Sequence, residues 1–211
     1  MSDDSQRVAE SWGRIGAWLR AHAPASAALL RPPASDADIA AAEAAMGVEI
    51  PMALATWYRI HDGFDEGFGR GILPSDMAML PLGELVDEYE THTQHWEREP
   101  GLLPFARKDG DIWSGWYVDA RSSEPTFGGL GHWSVDGGDG AYPSGTQGWP
   151  LASWLTEIAG ALEEGRCLHR PDGVDDTYNW PVLTGRRGLT WVDPRDPRLF
   201  PEGMIKLNGP R

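Results

Sequence analysis

Several groups of residues in this chain combine side-chain types and spacings that could do chemistry. His61-Asp62-Gly63 sets two ionisable side chains beside a residue free to turn, as a catalytic loop would. Glu88, His92 and His95 recur within one helical stretch, from which a metal site could be drawn. Asp136-Gly137-Gly138-Asp139-Gly140 has the composition of a calcium loop. Gly131-His132-Trp133-Ser134 places a histidine two residues before a serine, and Cys167 is the sole cysteine.

Each group also has a plain structural explanation. Pro51 fits a first helical position, Ile50, Leu54, Trp57 and Tyr58 then share one face, and Gly63 follows as a residue that stops the helix, with His61 in its last turn. The His92/His95 pair lacks the H-E-x-x-H pattern and is expected on a solvated face. The Asp-Gly loop lacks the third oxygen ligand and closing glutamate of an EF-hand and reads as a tight hairpin turn. No G-x-S-x-G elbow accompanies the serines, and alternation in a strand directs His132 and Ser134 to one face, Trp133 and Val135 to the other. Cys167 has no disulfide partner within the chain. Thirty-two acids offer many carboxylate pairs, which makes any one pair weak support for glycoside hydrolysis. The residues therefore favour a binding protein over an enzyme, with no catalytic residue, metal or cofactor expected.

The elements that must position these residues are well punctuated. Val8, Trp12, Ile15 and Leu19 mark a helix over about Ser5 to Ala21. A loop from His22 to Pro33 leads to Ser35-Asp36-Ala37-Asp38, which has the form of a capping box, and to a helix ended by Gly47. After the third helix a glycine-rich loop spans 64 to 81, with a short strand expected at Gly71 to Leu73. A fourth helix follows over about Leu82 to Glu97. The period then changes to that of strands over Leu103 to Ala106, Ile112 to Asp119 and Leu130 to Val135. Leu151, Trp154, Leu155, Ile158 and Leu162 mark a fifth helix, stopped by Gly165. Tyr178 to Leu183 and Leu189 to Val192 flank a turn and read as a hairpin followed by a tail. Helices, then strands, then a helix are the signature of an α+β domain with an antiparallel sheet over residues 5–165, with 166–211 as a C-terminal extension.

Composition narrows the function. Eighteen basic against 32 acidic residues give a formal charge of −14, which disfavours nucleic acid and attracts basic partners. The acidic MSDDSQR start and short apolar runs predict a cytoplasmic protein with no membrane association. Eleven tryptophans could serve as core, as sugar platforms or as interface anchors, and most fall on inward faces.

Ser11-Trp12 through Trp18-Leu19, LLRPPASDADIAAAEAAMGVEIPMALATWYRIHDGF (29–64), IWSGWYVDARSSEPTFGGLGHW (112–133) and PLASWLTEIAGALEEG (150–165) together resemble the SMI1/KNR4 family, also called the SUKH superfamily. The resemblance implies helices packed around a strongly bent antiparallel sheet. It further implies an immunity protein that binds and neutralises a cognate toxin domain, such as a basic nuclease; the alternative is a regulatory scaffold, as in the fungal branch concerned with cell-wall synthesis. Asp65, Glu66, Asp109, Asp111, Asp136 and Asp139, in loops, are the expected partner-binding residues. A third possibility is a carbohydrate- or metal-dependent enzyme using the tryptophans and the His92/His95 pair.

Overall fold

The computed structural model describes residues 3–108, 113–193, 195 and 205–206. Helix α1 (Asp3–His22) begins on two aspartates and ends on Arg20 and His22, charges that suit the two ends of its dipole. It buries the stripe Val8, Trp12, Ile15 and Leu19. The loop that follows contains a short helix, α2 (Pro24–Ala27). The Ser35 side chain accepts from Asp38 N while the Asp38 carboxylate accepts from Ser35 N, so α3 (Asp36–Met46) opens with a complete capping box and closes on Gly47 at φ 67°.

Helix α4 (Met52–Tyr58) is shorter than its sequence suggests, and Pro51 sits one residue before its first turn. His61 therefore lies beyond the helix rather than in its last turn. The strand expected at Gly71 to Leu73 is instead β1 (Met77–Met79), joined back to Leu73 by an isolated bridge. Pairing with the neighbouring strand, not local propensity, decides this. Helix α5 ends early (Leu82–Glu90) and passes into a π turn at Thr91–His95.

Strands β2 (Leu102–Lys108), β3 (Ser114–Asp119), β4 (Gly129–Ser134) and β5 (Gly138–Ala141) continue the sheet in the order β1-β2-β3-β4-β5. Strand β6 (Trp149–Pro150) pairs with the start of β4, and every pairing is antiparallel. Helix α6 (Leu151–Glu164), stopped by Gly165 at φ 65°, packs along α1, where Arg7 donates to Ser153 and Arg14 pairs with Glu163.

Side chains alternate across the sheet. Leu103, Phe105, Trp116, Val118 and Leu130 join α1, α4 and α6 in the main core. Leu102, Tyr117 and Trp133 form a second cluster with Trp96 and Val135. Two glycines on adjacent strands make room for it: Gly115 is the register partner of Trp133, and Gly131 that of Tyr117. Eight of the eleven tryptophans are buried.

The segment after Gly165 holds β7 (Leu168–His169) paired with β8 (Asp175–Asp176), and β9 (Trp180–Leu183) between β10 (Leu189–Val192) and β11 (Ile205–Lys206). Leu168, Leu183, Leu189 and Trp191 belong to the main core. Polar contacts secure the same seam: Leu189 N donates to Ser26 Oγ at 2.8 Å, Trp191 N to Asp76 Oδ1 at 2.9 Å and Trp191 Nε1 to Ile72 O at 2.9 Å.

Candidate functional site

The His-Asp-Gly sequence is a three-way fastening. His61 Nδ1 lies 2.6 Å from Arg31 O, the Asp62 carboxylate accepts from Leu82 N at 2.8 Å at the start of α5, and Gly63 stands at φ 73°. A Cβ on Gly63 would meet Pro81 N at 2.4 Å, so the backbone approach itself requires glycine. These residues join α4, α5 and the loop before α3, and each side chain is occupied in doing so.

The histidine pair is split. His92 is 3% exposed, with its ring edge-on to Trp133 and its Nε2 3.5 Å from Glu88 Oε1, whereas His95 faces solvent. The solvated face expected for both holds for His95 alone. Position 92 continues the buried spacing of Leu85, Tyr89 and Trp96, a signal present in the sequence that a polar residue type obscures. Among the described residues no group of three or more His, Cys, Asp or Glu is placed to hold a metal ion. Cys167 is buried, and burial followed by the charge of Asp175 pushes its thiol pKa up, the wrong direction for a thiolate nucleophile.

The acidic loop residues that the structure describes fall in two places. Asp65 is exposed and pairs with Arg31 at 2.9 Å; Glu66 pairs with the buried Arg70. Asp139, in β5, pairs with Arg98, whose guanidinium lies over Trp96 and Trp133, while Asp136 in the β4–β5 turn is exposed. Asp109 and Asp111 lie outside the described residues. Strand register sets the β4–β5 turn at the sheet end where β2 finishes and β3 begins. His132 stands edge-on to Trp116 and Trp133 lies in the second cluster, so the strand alternation holds; burial lowers the His132 pKa.

At the opposite end of the sheet is a groove of about 660 Å³ that the sequence motifs do not mark. Its walls are the linker Gly47–Met52, the turn Pro100–Gly101 and the β3–β4 loop from Ala120 to Phe127. Buried Asp119 organises this loop, accepting from Arg121 Nε and N at 2.9 Å each, Arg121 Nη2 at 2.6 Å and Thr126 Oγ1 at 2.5 Å. Burial alone would raise the Asp119 pKa; the Arg121 and Thr126 hydrogen bonds outweigh it and hold the carboxyl below its usual value.

An α+β domain with six helices around an antiparallel sheet, and with its sequence motifs spent on fastening, is the class that these features define among the described residues. The family model described as "SMI1 / KNR4 family (SUKH-1)" matches residues 33–156, and the chain belongs to that family. It is also similar to KNR4/SMI1 homolog 1 of Debaryomyces hansenii, 28% identical over 104 residues, which cover 48% of this chain and 22% of that protein. The chain thus spans about a fifth of the length over which that relative extends. No helix among the described residues is long and apolar enough to cross a membrane.

Proposed function

We propose that this SMI1/KNR4 domain is a non-enzymatic immunity protein, which neutralises a cognate toxin domain by covering it. One observation carries the reading: most of the arginines among the described residues are already engaged with carboxylates within the fold. Arg14 pairs with Glu163, Arg59 with Asp36, Arg107 with Glu88, Arg121 with Asp119 and Arg166 with Glu157. Each pair cancels one charge of each sign, so the formal charge of −14 is left to acids outside these pairs, exposed Asp136, Glu49, Glu99 and Glu124 among them. A surface of that sign steers a basic partner by long-range attraction and repels nucleic acid. A toxin that grips phosphates presents the complementary charge. Exposed carboxylates such as Asp136 then govern the association rate, and apolar contacts the residence time.

The reading is tested by searching the neighbouring genes for a toxin domain, whose absence would count against it, by expressing that domain with and without the full chain, and by titrating the purified pair at low and moderate salt. Rescue of growth together with a 1:1 complex whose association slows with salt is expected. An active toxin in the presence of excess chain would overturn it.

A further inference from the structure

We propose that the groove at the β3–β4 end of the sheet is the docking site for the partner, and that it takes a segment carrying one large apolar side chain next to lysine or arginine. This rests on the binding-protein reading above and adds the place and the chemistry. Met52 is 59% exposed and Phe127 50% exposed, and they stand on different walls of the groove. Single exposed apolar residues are ordinary, but two that line one concavity form a patch of the kind that partners cover.

The walls are set in advance. Gly47 fixes the end of α3, Ile50 N donates to Glu43 Oε1 at 2.9 Å, and Asp119 ties down the facing loop through Arg121 and Thr126. A ligand entering such a groove spends little on ordering it.

Charge identifies the occupant. Glu49 lines the groove, and Glu99 and Glu124 lie close enough to Arg121 to favour its charged form. All three are exposed. Arg121, the one cation among the described lining residues, is cancelled by Asp119, which leaves Glu49 on the wall beside Met52, and Glu99 and Glu124 as the chain neighbours of the lining residues Pro100 and Ser123. An acidic or purely apolar segment would meet repulsion or unpaired carboxylates there. A basic segment with an apolar anchor meets neither.

The test pans a display library of random twelve-residue peptides on the immobilised full chain, then measures the selected peptides by calorimetry. Enriched peptides should pair a large apolar residue with Lys or Arg. Their affinity should fall about tenfold or more on Met52→Ser/Phe127→Ser and on Glu49→Lys/Glu124→Lys, and stay unchanged on Glu10→Lys in α1. The charge variant guards against misfolding of the apolar one, and thermal melts of both should match that of the natural chain. No enrichment, acidic peptides, or affinities that ignore both groove variants would overturn the proposal. Both variants are also challenged with the adjacent-gene toxin. Rescue of growth by them would overturn the groove while leaving the immunity reading intact, whereas groove-dependent peptides with no rescue by the natural chain would overturn immunity alone.

Discussion

The Tyr117 ring occupies the place where Gly131, its partner on the neighbouring strand, would carry a side chain: a Cβ there would stand 1.9 Å from the ring's Cζ. Gly115 and Trp133 repeat the relationship with the roles of the strands exchanged, at 2.6 Å to Trp133 Nε1. A residue absent from one strand thus gives an aromatic ring on the other its seat. Gly131→Ala should destabilise by about 2–3 kcal/mol, since a packed ring must move, whereas Gly140→Ala, which meets nothing within 4 Å, should change stability by less than about 0.5 kcal/mol. Urea unfolding of the two variants measures the difference; equal midpoints would refute the seating.

Asp62→Ala should remove about 1 kcal/mol by leaving Leu82 N without its acceptor, and Asp62→Asn should restore most of it. Gly63→Ala should be worse, at roughly 2 kcal/mol or more, because it combines a positive φ with a backbone clash against Pro81. The same unfolding titrations apply. If instead Asp62 served catalysis, Asp62→Asn would fold as well as the natural chain yet lose function.

Acid should weaken the fold in two windows. His132 is held neutral by burial, so the unfolded chain binds a proton there more readily, and stability declines as pH falls below about 6.5. The depressed Asp119 acts lower: its contribution is complete above the usual carboxylate value near 4 and disappears as pH falls through the folded-state value. Melting midpoints between pH 8 and pH 2 should show His132→Gln flattening only the first decline and Asp119→Asn only the second. A variant curve parallel to that of the natural chain in its own window would dismiss that group.

A chain ended after Gly165 should lose cooperative folding. Leu168, Leu183, Leu189 and Trp191 each contribute about 1.5–3 kcal/mol by burial, and together they rival the roughly 5–15 kcal/mol by which a domain is usually stable. Calorimetry of residues 1–165 checks this. A sharp transition near that of the full chain would show that residues 33–156, the extent of the family match, suffice with α1 and α6.

What the sequence discloses about this fold follows the range of the forces involved. The capping box at Ser35, the stops at Gly47 and Gly165 and the stripe through Trp12 are short-range and appear in the chain order itself. The β9–β10 hairpin is equally local and pairs as its turn suggests. Strand β1 is not, because Met77-Ala78-Met79 has little strand character and is held by Ala106 to Lys108 far along the chain. Helix α5 passes into a π turn at Thr91 instead of running on to Glu97, a change of hydrogen-bonding pattern that leaves no distinct mark in the residue order. The candidate site was least visible. Carboxylates can be counted from the sequence, but whether Arg98 has already claimed Asp139, or Met52 and Phe127 share a groove, depends on distances that only folding creates.

The bond from Leu189 N to Ser26 Oγ closes a loop of 163 residues. During synthesis Ser26 and Ile72 emerge long before the hairpin that covers them. At about 5–20 residues per second the interval is on the order of ten to thirty seconds. Until then the N-terminal helices hold an unclosed apolar seam, and a nascent chain in that state is a natural client for chaperones. The β9–β10 hairpin thus acts as a latch on segments made more than a hundred residues before it, and the seam between them is completed only once that hairpin is in place.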